Sequence, residues 1–475
     1  MPRHAPPHAQ PYPRARSRPW PRAGAAVLGL AALLLAVVNG PAAVGSTADA
    51  ADTAAAIERA AAQRVDNPYA GAQVYVNPEW SANAVSTPGG EAVADQPTAV
   101  WLDRIATIGG ADGRMGLREH LDEALAQDAD VVQLVLYDVP GRDCDRLVSH
   151  GELGPNDQPR YRAEFVDPIA EILADPAYAD LRVVTIVEPH ALARLVSHTY
   201  PRNIYTQECE TAKSSGNYVN SIGYALSRLG ALPNVYPYLD ISHHGWLGWD
   251  DNFFPAVDVL HAAATAAGST TDAVHGFVAN VEDYSVLEEP YFDVDDVVMG
   301  VPVLQSRWVD WNRHIDELPF AEAFRAELVA AGFDENIGTL VDTSRNGWGG
   351  PDRPTGPGST TTSVDEFVNA SRTDRRFAVQ NWCNQAGSGL GERPTAAPAP
   401  GVDAYVWAKP PGESDGTGLE FPTGLARDPM CDPEYDAYPD ASYDPTGALP
   451  DAPPAGEWFP EHFEELLRNA WPPLN

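Results

Sequence analysis

Hydrophobic positions along the chain come in short, nearly continuous runs rich in β-branched residues, at 72–77, 131–137, 182–187, 234–240, 273–277, 337–341 and 402–407. Apolar runs of that length with little alternation predict strands covered on both faces. Between most of them lie stretches with helix-compatible spacing, at 97–109, 116–126, 160–173, 217–229, 256–267 and 320–331. Strand and helix in turn predict an α/β fold with a parallel sheet. Seven candidate strands suit a barrel or a strongly curled sheet, and a doubly wound sheet is the alternative. Residues 54–63 suit a short helix; the alternative for 51–66 is a frayed leader. Pro/Ala/Gly-rich stretches at 394–402 and 443–456 are short and flanked by aromatic residues, as surface loops are. No long linker or repeat divides residues 51–475, which implies one domain.

The amino-terminal pattern differs. Arg3, Arg14, Arg16, Arg18 and Arg22 precede an apolar run over 25–38, and small residues follow, with a cleavage context at Ala48-Asp49-Ala50. This is the order of a secretory signal peptide. A membrane anchor is the alternative, but the run is short against the roughly 20 residues that a bilayer needs. The chain of 475 residues carries 67 acidic and 31 basic side chains, a formal charge of -36. Residues 1–50 hold five Arg and one acidic residue, Asp49, so cleavage would leave 26 basic and 66 acidic residues, a charge of -40. Nucleic acid and anionic lipid are poor partners for such a chain. Export also changes the reading of Cys144, Cys209, Cys383 and Cys431, which lack zinc-like spacing and suit two disulfides in one of three connectivities. Free buried thiols are the alternative.

Chemistry-bearing residues gather at the ends of the candidate strands. The second runs into Tyr137-Asp-Val-Pro-Gly-Arg142-Asp143-Cys144, the third into Glu188-Pro189-His190, and the fourth into Asp240-Ile-Ser-His243-His244-Gly245-Trp246-Leu-Gly-Trp249. Asn280 and Tyr284 follow the fifth, Asp342-Thr-Ser-Arg345-Asn346-Gly347-Trp348 the sixth, and Lys409-Pro-Pro-Gly-Glu413-Ser-Asp415-Gly416 the seventh. Sheet enzymes place their sites at carboxyl-terminal strand ends. No HExxH, phosphate-cradling glycine loop or GxSxG elbow is present. Carboxylates mixed with indoles, amides and imidazoles suit a carbohydrate, with rings stacking on sugar faces and polar groups taking hydroxyls. Cleavage with inversion needs one protonated carboxyl and one carboxylate that activates water. Trp246 and Trp249 also have a plain reading as core residues.

Four segments carry a strong resemblance: Val135-Leu-Tyr-Asp-Val-Pro-Gly-Arg-Asp-Cys144, Asp240-Ile-Ser-His-His-Gly-Trp-Leu-Gly-Trp249, Asn381-Trp-Cys-Asn384 and Val406-Trp-Ala-Lys-Pro-Pro-Gly-Glu-Ser-Asp-Gly416. They resemble glycoside hydrolase family 6, whose cellobiohydrolases and endoglucanases cleave β-1,4-glucan with inversion, and the likeness extends from about residue 67 to 474. The resemblance implies a distorted, partly open β/α barrel with about seven parallel strands and long cleft-covering loops, and disulfides 144–209 and 383–431. It implies that Asp143 assists protonation and water handling, that Arg142 orients it, and that Tyr137 crowds the distorted sugar while Ser149 holds water. Asp415 takes the place of the proposed base, with Lys409 and Glu413 as neighbouring ligands. Trp80, Trp246, Trp249 and Trp382 would line sugar subsites, His243 and Asn280 would hydrogen-bond the chain, and Asp240 and Asp342 would support strand-end geometry.

One departure stands out. The third strand of the family ends in Glu-Pro-Asp, whose aspartate is the proton donor, whereas this chain has Thr185-Ile-Val-Glu-Pro-His190. Three readings stand open: His190 as an unusual acid, its pKa raised by neighbouring carboxylates; another group such as Asp143 delivering the proton; or a protein that binds glucan without useful turnover. Long inserts at 285–316 and 346–381 resemble the loops that roof the cleft of family exoglucanases, which implies exo action releasing cellobiose. No separate carbohydrate-binding module is recognisable, and no cofactor, metal or obligatory oligomer is expected. The expected partners are β-1,4-glucan chains and cello-oligosaccharides, met outside the cell by a monomer.

Overall fold

The computed structural model describes residues 47–146, 151–419, 427–437 and 445–474. Most of the expected leader, residues 1–46, and the candidate Ser149 lie outside them. The framework is an eight-stranded sheet of β1 (Val100–Leu102), β2 (Val131–Leu136), β3 (Arg182–Val187), β4 (Val235–Asp240), β5 (Gly276–Ala279), β6 (Gly338–Asp342), β7 (Thr395–Ala399) and β8 (Val402–Val406). Their spatial order is β1-β2-β3-β4-β5-β6-β8-β7, with every neighbouring pair parallel except β8 and β7.

Side-chain alternation shows how the sheet curls. Val132, Leu134 and Leu136 of β2 face a layer of helices, among them α1 (Leu117–Ala126), α2 (Asp167–Leu173), α3 (Ala191–Ser197), α4 (Asn217–Leu229), α5 (Asp250–Ala264) and α6 (Glu317–Ala330). In α4, Tyr218, Ile222, Ala225, Leu226 and Leu229 recur at helical spacing on the buried side. Val131 and Val135 point the other way, into a cluster with Ile186, Tyr238, Val278, Leu340 and Val406. Residues from β2 through β8 meet there, so the inner face packs on itself as in a barrel rather than under a second helix layer. The edges of the curl approach each other where Ala99 N–H donates to the Trp407 carbonyl at 3.1 Å. The fold is therefore the expected partly open β/α barrel, and the doubly wound alternative falls.

Four element assignments need correction. The run 72–77 forms only an isolated bridge, Val74 to Val131, because Asn77 turns the chain by capping helix Pro78–Ser86 through a 3.0 Å bond to Glu79 N–H. The seventh parallel strand is β1, inside the stretch 97–109, where only Ile105–Ile108 is helical. The loop expected at 394–402 contributes β7, an edge strand that tolerates Pro398 because its outer side needs no ladder bond. Helix Thr47–Ala61 is longer than the 54–63 expected and buries Ile57 and Ala60. Cys144 is bonded to Cys209 and Cys383 to Cys431, across 65 and 48 residues.

Candidate active site

At the strand ends the backbone repeatedly enters the left-handed region. Asp143, Glu188, His190, Ser242, Asn280 and Glu282 have φ between 49° and 64°. Such non-glycine conformations cost on the order of 1 kcal/mol or more and persist where surrounding structure enforces them, as at functional sites. A cavity of about 470 Å³ opens there, lined by Trp80, Trp101, Tyr137, Asp143, Glu413 and Asp415 among others.

Asp143 follows β2 and is almost fully buried. Its Oδ1 accepts from the Tyr137 hydroxyl at 2.9 Å and lies 2.8 Å from Arg194 Nη2. Arg142 Nε stands 3.5 Å from Oδ2 and Arg146 Nε 3.8 Å from Oδ1. Burial alone would raise its pKa, but Arg146, Arg194 and Arg142 together hold the carboxyl well below the ordinary range. Arg142 also donates to the Asp103 and Tyr137 carbonyls and lies 4.2 Å above the Tyr137 ring, bracing the pair.

Asp415, past β8, has a separate set of partners. Arg345 Nη1 reaches its two oxygens at 2.7 and 2.8 Å, the Tyr284 hydroxyl donates at 2.9 Å and the Asn384 N–H at 2.8 Å. Lys409 Nζ is 3.4 Å away and is shared with Glu282 at 2.6 Å. Burial opposes ionisation, and Arg345 and Lys409 outweigh it. Asp342 steadies this side by accepting from the backbone N–H of Lys409 at 2.9 Å and of Glu282 at 3.2 Å. Glu413 differs from both: burial pushes it up to about 7 despite Lys409 and Arg114.

His190 precedes α3 and lies outside the cavity lining. Its backbone N–H donates to Asp240 Oδ2 at 2.8 Å. The ring stacks on Trp246 with centroids 5.8 Å apart and planes at 15°, and its buried Nδ1 finds no partner among the described residues. The expectation of a raised pKa is corrected: burial lowers it, Asp283 and Glu282 pull upward, and Arg194 and Arg146 add to the lowering.

The remaining candidates divide by exposure. Trp80 is buried edge-on against Trp407 and Phe463, with Nε1 bonded to the Pro411 carbonyl at 2.9 Å, and it borders the cavity. Trp382 is half-buried, and the Arg146 guanidinium lies 3.9 Å above its ring. Trp249 donates to the Asp310 carbonyl at 2.8 Å and borders a second cavity of about 640 Å³ with Trp308 and Phe377. Trp246 is partly exposed and bonds Ser197 Oγ at 2.7 Å. His243 is enclosed between Ser285 and Asp283. Asn280 departs from its expected role: it has no exposed surface, and its amide is spent on the Ser285 and Asp342 carbonyls and the Ser285 N–H, so it supports a turn instead of facing a sugar.

Arg146, Arg194, Glu282 and Asp283 were not among the sequence candidates. Arg345 stood in a strand-end motif, but Arg194 looks like any helix arginine until the fold buries it. The family description "Glycosyl hydrolases family 6" matches residues 61–470. Exoglucanase A of Cellulomonas fimi is 43% identical over 446 residues, 88% of this chain and 50% of that protein, so the chain spans half the length of that relative. A probable 1,4-beta-D-glucan cellobiohydrolase C of Aspergillus niger is 34% identical over 86% of this chain and 78% of its own. Among solved structures, the catalytic domain of Cellulomonas fimi Cel6B matches with a TM-score of 0.82 at 42% identity, covering 87% of this chain and 97% of that one. Cellobiohydrolase II of Humicola insolens, in complex with glucose and cellotetraose, matches with a TM-score of 0.63 at 31% identity, covering 86% and 99%. Sequence and fold agree that this chain belongs to glycosyl hydrolases family 6.

Proposed function

We propose that the chain is an exported β-1,4-glucanase of the exo type, which hydrolyses cellulose or a related glucan with inversion and releases cellobiose slowly. The observation that carries this reading is that Asp143 and Asp415, each held ionised by its own cations, line one cavity with Tyr137 and Lys409. Asp415 suits the carboxylate that activates water, and Asp143 suits the charge that stabilises an oxocarbenium-like centre. Exo action is supported by the two long inserts, which share an apolar cluster of Phe292, Val298, Val303 and Val309 with Val364, Phe367 and Val368. Joined in this way they frame the second cavity beside Trp249. The order of charged, apolar and small residues at the amino terminus and the two disulfides support an extracellular location.

A second reading, a glucan-binding protein with impaired catalysis, is favoured by one observation. The residue at the donor position is a buried imidazole that favours its neutral form. Loss of a positioned acid costs roughly 10²–10⁴-fold in rate. Anomer-sensitive NMR on cellohexaose separates the readings. Release of α-cellobiose faster than by Asp143→Asn supports the enzyme, binding without that excess supports the binding protein, and absence of binding overturns both. Rapid loss of viscosity in carboxymethyl cellulose would overturn exo action.

A further inference from the structure

We propose that Arg194 is a positioning residue that decides which groups in this centre carry a proton, so that position 190 cannot supply an acid while that cation remains. The inference rests on the glucanase reading of the cleft. Residues 190 and 194 lie one turn apart at the start of α3 and both approach one indole: the His190 ring stacks on Trp246, and the Arg194 guanidinium lies 5.6 Å from the same ring. From there Arg194 reaches Asp143 at 2.8 Å and Asp145 at 2.5 Å, with its side chain 2% exposed.

A guanidinium does not give up its charge in a protein. Placed against two carboxylates it favours the ionised form of both, and beside an imidazole it favours the neutral form. Asp143 also faces Tyr137, Arg142 and Arg146, while His190 faces Asp283, Glu282, Asp240 and Arg146. Among these, Arg194 is the cation that bears on both groups from the helix carrying residue 190. An aspartate placed at 190 would meet the same cation, which favours its ionised form against the opposing pull of burial, Asp283 and Glu282 and so weakens it as a donor to the leaving oxygen. The histidine and the arginine therefore form one unit, and restoring the carboxyl alone does not restore the acid.

Turnover of cellohexaose across pH, its affinity by calorimetry, and thermal midpoints are to be compared for the full chain and its variants. Expected are a change of less than about threefold for His190→Asp, and a rise of about 30-fold or more over that variant when Arg194→Gln is added, with a new alkaline limb marking loss of the acid. His190→Asp with Arg194→Lys, which keeps a cation, should return to the level of His190→Asp. A full gain from His190→Asp alone overturns the proposal. So does a double variant that binds cellohexaose yet turns over no faster. Should the double variant fail to fold, ¹⁵N NMR of the histidine rings decides: Arg194→Gln should raise the His190 midpoint by about half a unit or more, and an unmoved midpoint overturns the proposal. Failure of the wild type to bind cellohexaose would instead count against the glucan reading, and the His190 midpoint would still test Arg194.

Discussion

Arg194 Nη2 and Asp143 Oδ1 lie 2.8 Å apart with both side chains almost wholly enclosed, and the same carboxylate is approached by Arg142 and Arg146. One anion thus holds three cations together, and its charge matters to the fold as well as to the chemistry. Asp143→Asn keeps the shape but leaves much of that positive charge uncompensated, with Asp145 still paired to Arg194. Breaking a buried pair in this way costs about 3–5 kcal/mol. Urea unfolding at neutral pH should show a loss in that range, and a variant as stable as the wild type would mean that water reaches the cluster.

Asp415 and Arg345 form the second enclosed pair, with both side chains at 0% exposure. Arg345 and Lys409 depress the Asp415 pKa in the folded state, so its stabilising contribution is complete above the unfolded value of about 4 and is lost as pH falls through the lower folded value. Arg345→Met should lower the thermal midpoint at neutral pH and flatten its dependence on acid. A variant that keeps the wild-type slope below about pH 4 would argue that other carboxylates govern acid unfolding.

Asp138 behaves in the opposite sense. Burial, reinforced by Glu188, pushes its carboxyl up to about 9, and neither oxygen has a hydrogen-bond partner among the described residues. A raised carboxyl binds its proton more tightly in the folded state, so its stabilisation is full below about 4 and disappears as pH rises toward 9. Asp138→Asn cannot ionise. Its thermal midpoint should exceed that of the wild type near pH 9 and lose that advantage near pH 5, and a constant offset would show that charge is not the cause.

The Cys383–Cys431 bond closes a loop of 48 residues directly beside Asn384, whose N–H bonds Asp415. Loop entropy assigns such a bond about 4 kcal/mol. Replacing both cysteines by serine should lower stability by an amount of that order. It should also weaken cellohexaose turnover more than cellohexaose binding, because the base candidate loses a fixed donor while the indoles stay in place. Equal losses in both would point to general disorder of the cleft.

Trp249 borders the second cavity, apart from Asp143 and Asp415. If a glucan chain runs between the two cavities, Trp249→Ala removes one stacking platform worth about 1 kcal/mol. Affinity should fall roughly five- to tenfold for cellohexaose, with little change for cellobiose. Equal effects on both sugars would place Trp249 in the core rather than in a subsite.

Much of this was legible along the chain because hydrophobic periodicity and strand-end motifs are local. Six of the seven runs expected as strands are strands, and helix 217–229 matches the amphipathic stretch residue for residue. The run 72–77 misled because its apolar residues serve a bridge and a helix entry. Strand β1 escaped notice because its three residues lie in a stretch whose spacing also suits a helix.

By itself the sequence determined the alternation of strands and helices, the candidate acids at strand ends and the loss of the expected donor at His190, since each is a matter of residue type and local order. Only the tertiary structure decided which charges meet. Arg194 and Arg146 are unremarkable as letters, yet folding removes Arg194 from water, largely encloses Arg146 and sets both against Asp143. In that enclosed setting their charge counts for far more than in solvent, because little water remains to screen it. The same enclosure turned the expected upward shift of His190 into a downward one. Burial penalises a charged ring, and burial is a property of the fold.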